Sequence, residues 1–355
     1  MSKLRLIAER WPGIIALILL CLFISACSST HTTRLLYVAG GQKAVFAFRV
    51  ENDSGETAPV LGSPFLAGLS PSSVVVHPSK RFAYVANQGE NTISLFKIDS
   101  STGALTEVTP RMSGVAQPIA MVIDSSGDFL YVANQGSNTV SAFSINSSDG
   151  SLSASGSSSP VGSSPSGLTL NGSFLFVPIP AFSQIQVFSV NSGALTSAGP
   201  PVTVADGVST VAVDPNGKFL FAPNPSTGTV TVFTIQSDGS LVVLPSSPFA
   251  AQNSPVAAAV DFTSSALYVA NSGSTNVSQF KIGSDGALTD FSPATVSTGA
   301  NPGFITVDPG GKFIFVGNIG GKSVTELSVK DDGSLAVTNH SITLGVPPRS
   351  IAVVQ

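Results

Sequence analysis

One short segment recurs seven times along the chain: an aromatic residue, then Val or Ala, a small residue or proline, and often asparagine. The copies are Tyr37-Val38-Ala39-Gly40, Tyr84-Val85-Ala86-Asn87, Tyr131-Val132-Ala133-Asn134, Phe176-Val177-Pro178-Ile179, Phe221-Ala222-Pro223-Asn224, Tyr268-Val269-Ala270-Asn271 and Phe315-Val316-Gly317-Asn318. Successive aromatics are 47, 47, 45, 45, 47 and 47 residues apart. A period near 45 is the size of one propeller blade.

Each unit carries four strand signals. Strand A is an apolar run after a proline, as in Pro118-Ile119-Ala120-Met121-Val122-Ile123. Strand B holds the aromatic segment. Strand C alternates with period two, as in Thr139-Val140-Ser141-Ala142-Phe143-Ser144-Ile145, which argues for a strand. Strand D is short and ragged, as in Leu241-Val242-Val243-Leu244, which suits an outer edge. The A–B connection Asp214-Pro215-Asn216-Gly217 has type I turn chemistry. The C–D connection repeats a glycine at Gly55, Gly103, Gly150, Gly193, Gly239, Gly286 and Gly333, where a tight turn needs positive φ. The first unit starts at strand B (Leu35-Leu36-Tyr37-Val38). The chain ends on a lone strand A pattern, Pro348-Arg349-Ser350-Ile351-Ala352-Val353-Val354. The expected fold is therefore all-β: a seven-bladed propeller of four-stranded antiparallel blades, with the C-terminal strand completing the N-terminal blade. Such closure leaves the ring no open end.

The N-terminus divides into a positive n-region (Lys3, Arg5, Arg10) and an apolar run from Gly13 to Ile24. Twelve residues are too few to span a bilayer but fit a signal h-region. Ile24-Ser25-Ala26-Cys27 follows and resembles a bacterial lipobox. The resemblance implies cleavage after Ala26 and acylation of Cys27. Each buried CH₂ of an acyl chain contributes about 0.8 kcal/mol, so several chains anchor stably. The expected organisation is residues 1–26 as lipoprotein signal, 27–33 as lipidated tether and 34–355 as one propeller domain. Ser28 follows the cysteine, and by the sorting pattern that implies the outer membrane of a bacterial envelope.

Removing the leader leaves 13 basic and 19 acidic residues. With only 10% of residues charged and no basic run or stripe, a nucleic-acid partner is not expected. The mature chain keeps one cysteine, which is committed to lipid. It contains no HExxH, no paired-cysteine motif and no EF-hand loop, so neither a metal nor a cofactor is expected.

The repeat is similar to the lactonase family of seven-bladed propellers, which includes one type of 6-phosphogluconolactonase and a fungal carboxymuconate cyclase. It also resembles the YVTN surface-layer propellers. The resemblance covers roughly residues 34–355. It implies the fold, and for enzymatic members a histidine after the strand A proline with arginine and glutamate nearby. Here that slot holds Ser72, Ile119, Ser166, Ser209, Val256, Gly303 and Arg349. The three histidines lie elsewhere: His31 in the tether, His77 at an A–B turn and His340 in the last strand D.

Alternating strand direction places the D–A and B–C connections on one face, over the channel mouth. Arg349 is the one charged residue in its slot and suits a carboxylate or phosphate. Asp206, Glu90 and Lys43 are candidates for the same face. Asn87, Asn134, Asn224, Asn271 and Asn318 end their strands B there. They read either as a ring of amides for a polar ligand or as turn caps. The preferred functional expectation is a binding module at the envelope, anchored through Cys27 and engaging a small polar ligand, an envelope protein or a cell-wall component. The alternative is a lactone hydrolase of the 6-phosphogluconolactonase type.

Overall fold

The computed structural model describes residues 33–204 and 207–354. The expected signal, Cys27, His31 and Asp206 lie outside the described residues. Seven antiparallel sheets surround a central channel, each ordered strand A to strand D from the channel outward. Blade 1 is the composite blade. Its strand B, Thr33–Gly40, pairs with strand C, Ala44–Glu51, on one side and with the C-terminal strand Pro348–Val354 on the other. The closing register runs from Leu35 opposite Val354 to Ala39 opposite Ser350. All seven blades and the closing strand are complete within residues 33–354.

Strand B is the most buried element of each blade. In Phe82–Asn87, Ala266–Asn271 and Phe313–Asn318 every residue is buried. The apolar clusters form between blades. Phe82 and Tyr84 of blade 2, for example, pack on Met121, Leu130, Val132 and Phe143 of blade 3. A blade therefore buries its faces only against its neighbours, which is why the fold has to close.

Two devices join neighbouring blades, a tyrosine bond in three of them and a turn glycine in all seven. Strand B tyrosines donate to the carbonyl of the following blade's C–D glycine: Tyr37 to Gly103 (2.9 Å), Tyr84 to Gly150 (2.7 Å) and Tyr268 to Gly333 (2.7 Å). Tyr131 has no such bond, and its hydroxyl is buried without a partner. The C–D glycines all have positive φ and sit against the preceding blade. The A–B turns are closed by aspartate. Asp124, Asp214, Asp261 and Asp308 accept the amides of Phe129, Phe219, Ala266 and Phe313. His77 takes this slot in blade 2. Its Nδ1 accepts the Ser79 amide (3.0 Å), so Nε2 carries the proton and donates to the Gly127 carbonyl (2.8 Å).

Blades 4 and 5 depart from the repeat. Their strands A shrink to Thr169–Asn171 and Ala212–Val213, against six or seven residues elsewhere. Both carry proline at the fifth position of strand B, Pro178 and Pro223, where the other blades have Ala or Gly. The Pro178 carbonyl still accepts the Ser166 amide at 3.2 Å, so this position faces strand A. Proline has no N–H to return the bond, and the ladder stops there.

Blades 7 and 1 meet at a buried charged joint. Arg34 Nε approaches Asp308 Oδ1 to 2.8 Å, and its guanidinium lies 5.1 Å from the Phe313 ring centre. Nε finds no aligned acceptor there, so the pair is a charge contact rather than a directed hydrogen bond. Glu326 lies beside it, with Oε1 3.4 Å from Nδ1 of His340.

Candidate functional site

The D–A and B–C connections gather on one face around a cavity of about 390 Å³, to which all seven blades contribute. Polar groups on its wall are mostly hydroxyls: Ser72, Ser73, Ser166, Thr169, Thr210 and Ser350. Ile119, Leu168, Val211, Phe304 and Ile351 supply the apolar part. Arg349 is the only charged side chain among the described lining residues. It is exposed, and no described residue offers it a hydrogen bond or ion pair. A lone, unneutralised guanidinium at a concave mouth favours an anionic group.

The remaining candidates fall elsewhere. The five asparagines are buried inside their B–C hairpins. Asn87 Nδ2 donates to Thr92 and Ser94, and its Oδ1 accepts the Gly68 amide at 2.9 Å. Asn134, Asn224, Asn271 and Asn318 likewise donate to side-chain oxygens across the hairpin. None of the five lines the mouth. Their amides close hairpins, as asparagine does when its side chain replaces a backbone partner. Glu90 pairs with Arg111 at 2.8 Å, and Arg111 also holds Glu107 at 2.7 Å. That triad braces strand D of blade 2 and does not reach the mouth lining. Lys43 is exposed on the B–C turn of blade 1, also outside the lining. Asp206 lies outside the described residues.

The hydroxyl wall was not singled out from the sequence, although the slot after the strand A proline contains part of it. Ser72 and Ser166 stand there with Arg349, and the rest follow one to three residues later. A serine reads as loop filler until the sheet register shows that it faces the channel. Gln88 also lines the mouth, with Nε2 bonded to Gln135 Oε1 at 2.9 Å.

A second cavity, about 530 Å³, opens at the other end of the channel. Ile351 lines both. Although larger, it offers less chemistry. His77 and Asp124 sit on its wall and spend their polar atoms on turns, and the exposed Lys80 stands at its rim. No group of three or more metal-ligating side chains occurs among the described residues.

Solved structures share this architecture at low identity. A candidate 6-phosphogluconolactonase of Bacteroides fragilis superposes with a TM-score of 0.79 at 21% identity, covering 93% of this chain and all of its own. A periplasmic gluconolactonase of Pseudomonas aeruginosa gives 0.78 at 18% identity, covering 91% and 99%. At such identities the likeness concerns the fold. No curated protein matches the sequence. The family described as Lactonase, 7-bladed beta-propeller matches residues 54–166 and 180–302, most of the chain and six of its seven C–D glycines. The chain belongs to the seven-bladed β-propeller lactonase family.

Proposed function

We propose that this protein is an envelope-tethered propeller that binds a small anionic ligand at its channel mouth, with Arg349 as the charged anchor. The carrying observation is the unpaired Arg349 guanidinium on the wall of a cavity with no carboxylate among its described lining residues. A volume of about 390 Å³ suits a ligand of sugar-acid size. Ser73 and Ser350, which accept backbone amides, keep a hydroxyl proton for a polar body, while Ser72, Ser166, Thr169 and Thr210 donate theirs to backbone carbonyls. The Ile24-Ser25-Ala26-Cys27 segment supports tethering through lipid on Cys27.

Family membership favours a second reading, hydrolysis of a lactone. Opening a lactone with water requires a group to take the proton from the attacking water. The described mouth lining has neither imidazole nor carboxylate for that task. Binding is therefore the better supported reading.

Calorimetry on the domain from Ser28 onward tests it, with gluconate and 6-phosphogluconate as probes. Saturable binding is expected, weakened about tenfold or more in Arg349→Ala, since a charge-assisted bond contributes about 1.5–3 kcal/mol. Equal affinity in the variant would remove Arg349 from the site. Turnover of gluconolactone or 6-phosphogluconolactone above the spontaneous rate, lost in the same variant, would establish the hydrolase instead.

A further inference from the structure

A turn on the outer edge of blade 1 carries a leucine at its tip. The Val60 amide donates to the Ala47 carbonyl at 2.9 Å, and the Ala47 amide donates to Ser63 Oγ at 2.9 Å. Between these bonds the Ser63 amide closes on the Val60 carbonyl at 3.0 Å, with Gly62 at φ +89°. That is a type II turn, with glycine where φ must be positive. Both ends of the turn are fastened to strand C, and Leu61 at the tip is 92% exposed. Leu66 follows on the same edge, opposite Ala44, and is 73% exposed. These are the two most exposed large apolar side chains among the described residues.

Blade 5 builds the same turn from other residues. The Leu244 amide donates to the Val232 carbonyl at 2.8 Å, the Ser247 amide closes on the Leu244 carbonyl at 2.9 Å, and Ser247 Oγ accepts the Val232 amide at 2.8 Å. Its tip is Pro245-Ser246. The turn geometry therefore does not call for a leucine, and so exposed a leucine adds nothing to the core. No charged residue stands between Glu56 and Lys80 in the sequence. Ala58, Pro59 and Pro64 extend the exposed edge on either side of Leu61, so it has no charge to desolvate. A continuous apolar edge of this kind marks a contact surface.

Blade 1 is also the blade that the tether enters. Thr33 begins its strand B, opposite Glu51 of strand C. Arg34 is buried against Asp308 of blade 7, so the chain is fixed from that residue on. Cys27 lies six residues before Thr33 and can stand at most about 22 Å from it. Strand D lies two strands outward from strand B, about 10 Å. A lipid on Cys27 can therefore enter a bilayer that runs along the outer edge of blade 1. The same reach keeps the mouth off that bilayer. Strand B rises about 23 Å from Thr33 to Gly40, and the tether would have to pass round strands C and D as well. A bilayer beneath the turn face is within reach, but there the C–D turns present Asp53, Asp99, Asp149, Asp238, Asp285 and Asp332, all exposed. Leucines insert readily where those carboxylates do not.

We propose that the outer edge of blade 1 docks on the bilayer that holds the Cys27 lipid, with Leu61 and Leu66 inserted at the boundary of headgroups and acyl chains. The channel mouth then opens sideways along the membrane surface. A lipid anchor and a second apolar contact on the same blade hold a domain more firmly than either one. The inference rests on the reading of Cys27 as the lipid-bearing residue and adds the surface that meets the membrane.

The lipidated chain in phosphatidylcholine vesicles tests it, with a polarity-sensitive dye on one introduced thiol. Ala58→Cys places the dye beside Leu61, and Ser246→Cys places it on the matching turn of blade 5. Blue-shifted emission, quenched by nitroxide-bearing lipid, is expected from Ala58→Cys alone. Adding Leu61→Ser and Leu66→Ser should abolish it with an unchanged melting temperature, since each buried leucine raises the docked fraction about tenfold or more. Equal emission from the two dyes, or a blue shift that survives loss of both leucines, in a chain whose Cys27 is acylated by mass spectrometry, would overturn the docking edge and leave the tether standing. A mature chain with Cys27 unacylated would overturn both.

Discussion

Glu326 is 1% exposed at the joint between blades 7 and 1, beside Arg34, Asp308 and His340. Burial pushes its carboxyl up to about 8 from the ordinary 4.5. The Arg34 guanidinium pulls it back in part, and Asp308 adds to the rise. The native protein therefore keeps a proton that the unfolded chain releases near pH 4.5. Stability from this group is fully present below that pH, falls as pH rises towards about 8, and is flat beyond. Glu326→Gln keeps the shape and removes the titration. Thermal melts from pH 5 to 9 should show the variant gaining on the parent as pH rises, and parallel curves would contradict the assignment. Tyrosine provides a second contrast at this scale. Tyr84→Phe loses a buried bond to the Gly150 carbonyl and should cost about 1 kcal/mol in denaturant unfolding. Tyr131→Phe loses nothing, because its hydroxyl is unpartnered, and should be neutral or stabilising. Both tyrosines were legible as repeat markers. Which of them found a carbonyl depended on the next blade's turn.

Among elements, the C–D turns are the most constrained. Gly193 has φ +82°, and a Cβ there would stand 2.4 Å from the Phe129 ring. Gly156 has φ +79° and open space around it. Gly156→Ala meets backbone strain alone, about 1 kcal/mol. Gly193→Ala adds a collision with the preceding blade and should lower the melting point clearly more, a ranking that differential scanning calorimetry reads directly. The seven turn glycines were visible in the sequence because each is separately required by positive φ. The shortened strands A of blades 4 and 5 were not read there, although Pro178 and Pro223 stand inside the repeat. Proline at that position breaks a strand only if its missing N–H faces strand A rather than strand C, and only the sheet register determines which. The asparagines show the reverse dependence. Their position at the end of strand B was plain. Whether the amide turned outward to a ligand or inward to Thr92, Ser94 and their counterparts was a matter of hairpin geometry.

At the level of the whole molecule, closure carries the architecture. The C-terminal strand is the inner strand of blade 1 and pairs with Leu35 through Gly40. Deleting residues 348–355 would strip an edge from strand B of blade 1 and remove Arg349 together with the Ser350 cap on Val74. Loss of cooperative unfolding by circular dichroism, with self-association on gel filtration, is the expected result. The number of blades, their strand order and the closing strand are all written in the chain's local pattern. Those follow from spacing, period-two alternation and turn chemistry, which act within about 45 residues. The same pattern also placed Arg349 on the mouth, since that side chain breaks the symmetry of its slot. Which polar groups remain free depends instead on how the blades pack against one another. A serine or a tyrosine hydroxyl is spent or available according to what the neighbouring blade presents across the gap, and residues that meet there are 40 to 70 positions apart in the chain, with Ser350 and Val74 further still.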